Sequence, residues 1–179
     1  GVTLRNKLML VAIPFLFIVL WSGYVYTQSV AEMDKEAEEA FKKKDFSKAI
    51  ALWLNILDID PENVDVQKKI EFLYEMKQKK DLELEKAKYN YKLARRELAL
   101  NLKENIPDEE ALKNLLKTKE YAENAFASFI TAYRIDSLDS ELQLLREDMQ
   151  RLEKFITSEE KRLKTNIELR EKISAFVNL

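Results

Sequence analysis

Apolar positions follow two patterns along the chain. Leu8 to Tyr26 is an unbroken run with no charge. From residue 31 onward, apolar residues recur at spacings of three and four, the mark of amphipathic helices. Between Phe46 and Pro61 they fall at Phe46, Ala49, Ile50, Trp53, Ile56 and Leu57, on one helical face. Asp45 is placed to cap the start of that helix. Asp60 and Pro61 are expected to stop it and open the next, with Pro at the first helical position. Just before, Met33, Ala37, Ala40 and Phe41 share a face, so residues 31–61 predict a helical hairpin.

The signature Ala-x3-aromatic-x2-small recurs with a step of 38 residues, as Ala49/Trp53 with Ile56 in the small place, then Ala87/Tyr91/Ala94 and Ala125/Phe129/Ala132. A fourth step reaches Leu163, where the pattern fades into Ile167 and Arg170. Amphipathic stretches precede each signature: Val66, Ile70, Leu73 and Tyr74, then Leu112, Leu115 and Leu116, then Leu142, Leu145, Met149, Leu152 and Ile156. Pro107-Asp108-Glu109-Glu110 predicts a helix start, with acids suited to the N-terminal dipole. The expected units lie near 31–61, 62–106, 107–137 and 138–179.

The hairpin over 31–61 resembles a tetratricopeptide repeat, a 34-residue helix–turn–helix unit. Ala37 matches the small residue of the family's first helix. Asp45-Phe46 matches the acidic–aromatic pair opening the second, and Ala49, Trp53 and Pro61 match its Ala, large aromatic and closing Pro. Lys44 stands where the family has a turn Gly, and Ala40 where it has Tyr. The resemblance implies an all-α fold, an antiparallel helical-hairpin solenoid in a bacterial-type envelope protein. It also implies burial of Trp53, Tyr91 and Phe129 between helices. The family's carboxylate-clamp mode is not expected, because Asp34 and Glu38 occupy the places of its basic and amide residues.

Two stretches stay open on their pattern. Residues 62–104 and 138–178 are each a hairpin or one helix of about 40 residues. In the first, Ile70, Leu73, Leu84, Ala87, Tyr91, Ala94 and Leu98 share one heptad frame, broken by Lys77 and Lys80. The repeat step favours a turn at Gln78–Asp81 with Asp81 as cap, and a second at the capping-box pair Thr157 and Glu160. An unbroken helix would favour a structural oligomer instead. Glu38–Lys42, Glu39–Lys43 and Glu160–Lys164 are spaced as solvated i,i+4 pairs.

Residues 1–30 read as a membrane anchor. The 19 residues from Leu8 to Tyr26 span about 28 Å as a helix, near the thickness of a bilayer core. Trp21, Tyr24 and Tyr26 cluster at one end as interfacial anchors do, and Arg5 and Lys7 flank the other. That asymmetry predicts a single span in the inner membrane, with a cytoplasmic N-terminus and residues 31–179 in the periplasm or its equivalent. The rival reading is a cleaved secretory signal ending at Ser29-Val30-Ala31.

Composition then narrows the chemistry. The chain has 30 basic and 32 acidic residues, and neither Cys nor His. Thiolate chemistry, His acid–base catalysis and common zinc sites are excluded. No basic face marks a nucleic-acid partner, and no Gly-rich loop marks a nucleotide. With two Gly and three Pro, long helices joined by short turns are expected. The expected function is a non-enzymatic scaffold or assembly adaptor that holds a protein partner, without cofactor, metal or small-molecule ligand. The alternative is a structural oligomer, a coiled-coil stalk or ring component of a membrane-associated complex.

Overall fold

The computed structural model describes residues 29–103 and 105–179, which are helical, with no strand among them. Helix α1 is described over 29–42, followed by α2 (Phe46–Ile59), α3 (Val64–Lys103), α4 (Asp108–Ile135) and α5 (Ser140–Val177). Among the described residues no helix is long and apolar enough to cross a membrane. The expected span at 8–26, with Arg5, Lys7, Trp21, Tyr24 and Tyr26, lies outside them. The chain divides into two compact units, the first ending at Tyr74 and the second covering Glu75–Leu179.

In the first unit the α1–α2 hairpin forms as its residues dictate. The Asp45 N–H donates to the Ala40 carbonyl (2.9 Å) and the Lys44 N–H to that of Phe41 (3.0 Å). This closes α1 with a left-handed residue, and Lys44 holds that place at φ 64°, where the repeat family has Gly. Asp45 then caps α2 by accepting the Lys48 N–H (3.2 Å). Ala37, Ala40, Phe46, Ala49, Trp53 and Ile56 are buried, as are Val66, Ile70 and Leu73 at the start of α3. Phe41 bridges three aromatic neighbours, Phe46, Trp53 and Phe72, at 5.7–6.4 Å between ring centres.

The next turn differs from expectation. Pro61 is not the first residue of α3; it sits exposed in a turn three residues before Val64, where α3 begins. Asp60 ends α2, its N–H donating to the Ile56 carbonyl (2.8 Å), and Asn63 caps α3 by accepting the Val66 N–H (3.1 Å). Pro61 still contributes through its carbonyl, which accepts from the Gln67 amide (2.7 Å).

The second unit is an antiparallel three-helix bundle of α3 from residue 75, α4 and α5. One core layer joins Leu84 and Ala87 of α3, Ala125, Phe129 and Ala132 late in α4, and Leu142, Leu145 and Met149 early in α5. The other joins Ala94 and Leu98, Ala111 and Leu115, and Leu152, Ile156 and Leu163. The order of these residues along each helix makes successive helices antiparallel, with α3 parallel to α5.

Neither expected break exists. Gln78–Asp81 lies inside α3, and Thr157–Glu160 lies inside α5. The hairpin units near 62–106 and 138–179 are therefore corrected to one long helix each, and the step of 38 counts single helices. Ala49, Ala87, Ala125 and Leu163 stand on four successive helices, each no more than 1% exposed. The heptad frame of α3 runs unbroken through Val66, Ile70, Leu73, Lys77, Lys80, Leu84, Ala87, Tyr91, Ala94, Leu98 and Asn101. That of α4 runs through Ala111, Leu115, Thr118, Ala122, Ala125, Phe129 and Ala132. Such frames keep one seam facing the partner helices, as in coiled coils.

Candidate functional site

The polar residues inside these frames explain why a turn was expected where a helix runs. Lys80 is only 7% exposed. Its stem lies along the bundle core, and its ammonium reaches Asp139 (2.8 Å) and Asp81 (3.0 Å). Asp139 does double duty. One oxygen caps α5 by accepting the Glu141 and Leu142 N–H groups (2.9 and 3.0 Å), and the other takes Lys80. Burial pushes the Asp139 carboxyl up, but the Lys80 ammonium and the two N–H donors outweigh it and hold it below the ordinary carboxylate value. Burial likewise opposes the charge on Lys80, and its two carboxylate partners more than offset that.

The turn containing Asp139 repeats the main hydrogen bonds of the turn containing Asn63. Asp136 donates to Ala132 as Asp60 does to Ile56; the Leu142 N–H reaches the Asp139 side chain as Val66 reaches Asn63; the Gln143 amide reaches the Ser137 carbonyl as Gln67 reaches Pro61. Each pair is 76 positions apart, twice the 38-residue step.

A second charged cluster lies in the first unit. Asp34 accepts from the Trp53 indole N–H (2.9 Å) and from Lys69, whose ammonium also meets Glu38 (2.9 Å) and Asp65 (3.2 Å). Burial opposes the charge on Lys69, yet the three carboxylates hold it well above the ordinary lysine value. Asp34 and Glu38 thus serve the interior of the chain. Glu160 also departs from a simple i,i+4 pair: Lys164 and then Lys119 of α4 hold its carboxyl down to about 2.

The residues expected in repeat cores are placed unevenly. Ala37, Phe46, Ala49, Trp53, Ala87, Ala94, Ala125, Phe129 and Ala132 are buried. Pro61 is exposed, and Tyr91 is only partly buried. Tyr91 belongs instead to an open groove of about 460 Å³ between α3 and α5. The groove is lined by apolar Leu98, Leu102, Leu152 and Phe155 together with charged Arg95, Asp148 and Arg151. Leu102 and Phe155 are about half exposed. Apart from Leu98, Leu152 and Tyr91, these residues were missed as a set, because they flank the heptad seam and belong to helices 50 residues apart.

Compared with known proteins, the chain matches no family model, no curated protein and no solved structure. Nothing there identifies the tetratricopeptide family.

Proposed function

We propose that this chain is a non-enzymatic protein–protein interaction scaffold, held by residues 8–26 in the inner membrane with its helical units on the outer side. The observation that carries the reading is the groove of the second unit, where half-exposed Leu102 and Phe155 leave an apolar strip open to solvent between charged side chains. Long unbroken helices alone do not require a second copy. The heptad seams of α3, α4 and α5 are satisfied against one another within one chain. The tetratricopeptide likeness of residues 31–61 adds the expectation of a surface that holds a partner.

A structural oligomer is the second reading, favoured by one feature. The apolar residues of α5 continue past the bundle as Leu169, Ile173, Phe176 and Val177, each more than half exposed. Crosslinking in the native membrane separates the two. The scaffold reading expects adducts to a different protein, whereas adducts only between copies of this chain would put the oligomer in its place. Protease added from the outer side should digest residues beyond about 31 and leave the N-terminus protected. Shielded helical units would overturn the topology.

A further inference from the structure

The seams of the second unit are closed by ion pairs between helices, with one exception. Glu97 meets Lys117 across α3 and α4 (3.4 Å), and Lys119 meets Glu160 across α4 and α5 (2.9 Å). Arg170 of α5 meets Asp108 and Glu109 of α4 (3.1 Å each). The parallel α3–α5 seam begins the same way, with Lys80 on Asp139 and then Lys88 on Glu141. One heptad further the matching residues are Arg95 and Asp148, and they do not pair. Asp148 turns to Arg151 on its own helix, and Arg95 lies over the Tyr91 ring, 5.8 Å from its centre. Among the described residues Arg95 has no carboxylate partner. Another heptad on, the matching residues are Leu102 and Phe155, both apolar and half exposed.

The lower half of this seam thus stays open along its outer edge, with half-exposed Leu102 and Phe155 above the buried Leu98 and Leu152 and with Arg95 and Arg151 at its rim. Arg95 and Arg151 face a single carboxylate, Asp148. From Tyr91 to Leu102 the floor runs about 16 Å, the length of three helical turns. We infer that this groove docks one amphipathic helix of a partner protein, with apolar residues at i, i+4 and i+7 and carboxylates on its flanks. The inference rests on the scaffold reading and names its site and the chemistry of its partner. The docked helix packs on the half-exposed Leu102 and Phe155, which lie over buried Leu98 and Leu152, as a fourth helix of the bundle, and its carboxylates pair with Arg95 and Arg151.

The test uses the full chain in nanodiscs of uncharged lipid. The probes are two synthetic photoreactive helical peptides with the same apolar stripe, one flanked by Glu and one by Lys. Adducts of the Glu peptide are expected within 91–102 and 148–155. Phe155→Glu and Arg95→Glu should each reduce them at least tenfold, and Leu116→Glu, on the exposed face of α4, should not. Arg95→Glu should also raise capture of the Lys peptide. Circular dichroism of each variant verifies that the helices persist, and the milder Phe155→Ser replaces Phe155→Glu if they do not. Equal capture of both peptides, adducts elsewhere, or adducts indifferent to Phe155 and Arg95 would overturn the inference. So would Phe155-dependent adducts between two copies of the chain, which would make a second copy the occupant. A heterologous partner captured in the native membrane but mapped away from this groove would leave the scaffold reading standing and remove only the site.

Discussion

The two units solve the same packing problem with different side chains. In the first, short helices close around large aromatics: Trp53 and Phe46 are buried, Phe41 and Phe72 lie against them, and the indole N–H is tied to Asp34. In the second, long helices meet through repeated small residues, with Ala87, Ala94, Ala125 and Ala132 all within 1% of full burial. Small residues let helix axes approach closely over many turns, and the heptad frame keeps them aligned. Large aromatics fill one place well but do not repeat. The contrast teaches that one signature, Ala-x3-aromatic-x2-small, serves both designs, because spacings of four and three are simply successive seam positions on any packed helix.

The contrast is broken most directly at the aromatic anchors. Trp53→Ala and Phe129→Ala should each cost about 3–5 kcal/mol, the range for large aromatics removed from cores. Segment-resolved hydrogen exchange should place the Trp53 loss in residues 29–74 and the Phe129 loss in 75–179. A Trp53→Ala chain that keeps its protection would show that the aromatic cluster does not hold the first unit together. Next come proline substitutions in α3. With no turn at Gln78–Asp81, Leu82→Pro should be as damaging as Leu93→Pro, about 3 kcal/mol or more in thermal melting. A mild Leu82→Pro would restore the hairpin.

The two equivalent turns sharpen the comparison. Asn63→Ala removes one cap and should cost about 1 kcal/mol. Asp139→Ala removes a cap and also strands the buried Lys80, and should cost about 3 kcal/mol. Equal losses in urea unfolding would mean that the Lys80–Asp139 pair adds nothing. Acid probes the same pair. Because the Asp139, Glu159 and Glu160 carboxyls are held low in the folded chain, their contribution is present above the ordinary carboxylate pKa and fades as pH falls through the folded values. Between about pH 5 and pH 2, exchange protection in 75–179 should fall, and fall less in Lys80→Met. The smallest effect is expected at Lys44. Relieving its left-handed backbone with Lys44→Gly should raise stability by about 1 kcal/mol, read as a higher melting temperature. No gain would mean that the Lys44 contact with the Phe46 ring (5.9 Å) matters as much as the strain.

Local pattern was enough to determine the helical class, the start of α2 at Asp45, the start of α4 after Pro107, and most buried positions. Those features depend on residues within a turn or two of each other. The step of 38 was also legible, but not what it counted. Whether Lys80 interrupts a helix or lies within one depends on a carboxylate 59 residues away, which turns an expensive buried charge into a paired one. The sequence offered Gln78–Asp81 as a turn because a polar run with no visible partner is cheapest in solvent. The groove was illegible for the same reason. Leu102 and Phe155 look like ordinary exposed apolar residues until tertiary structure sets α3 and α5 parallel, with Asp148 turned to Arg151 on its own helix and Arg95 left over the Tyr91 ring.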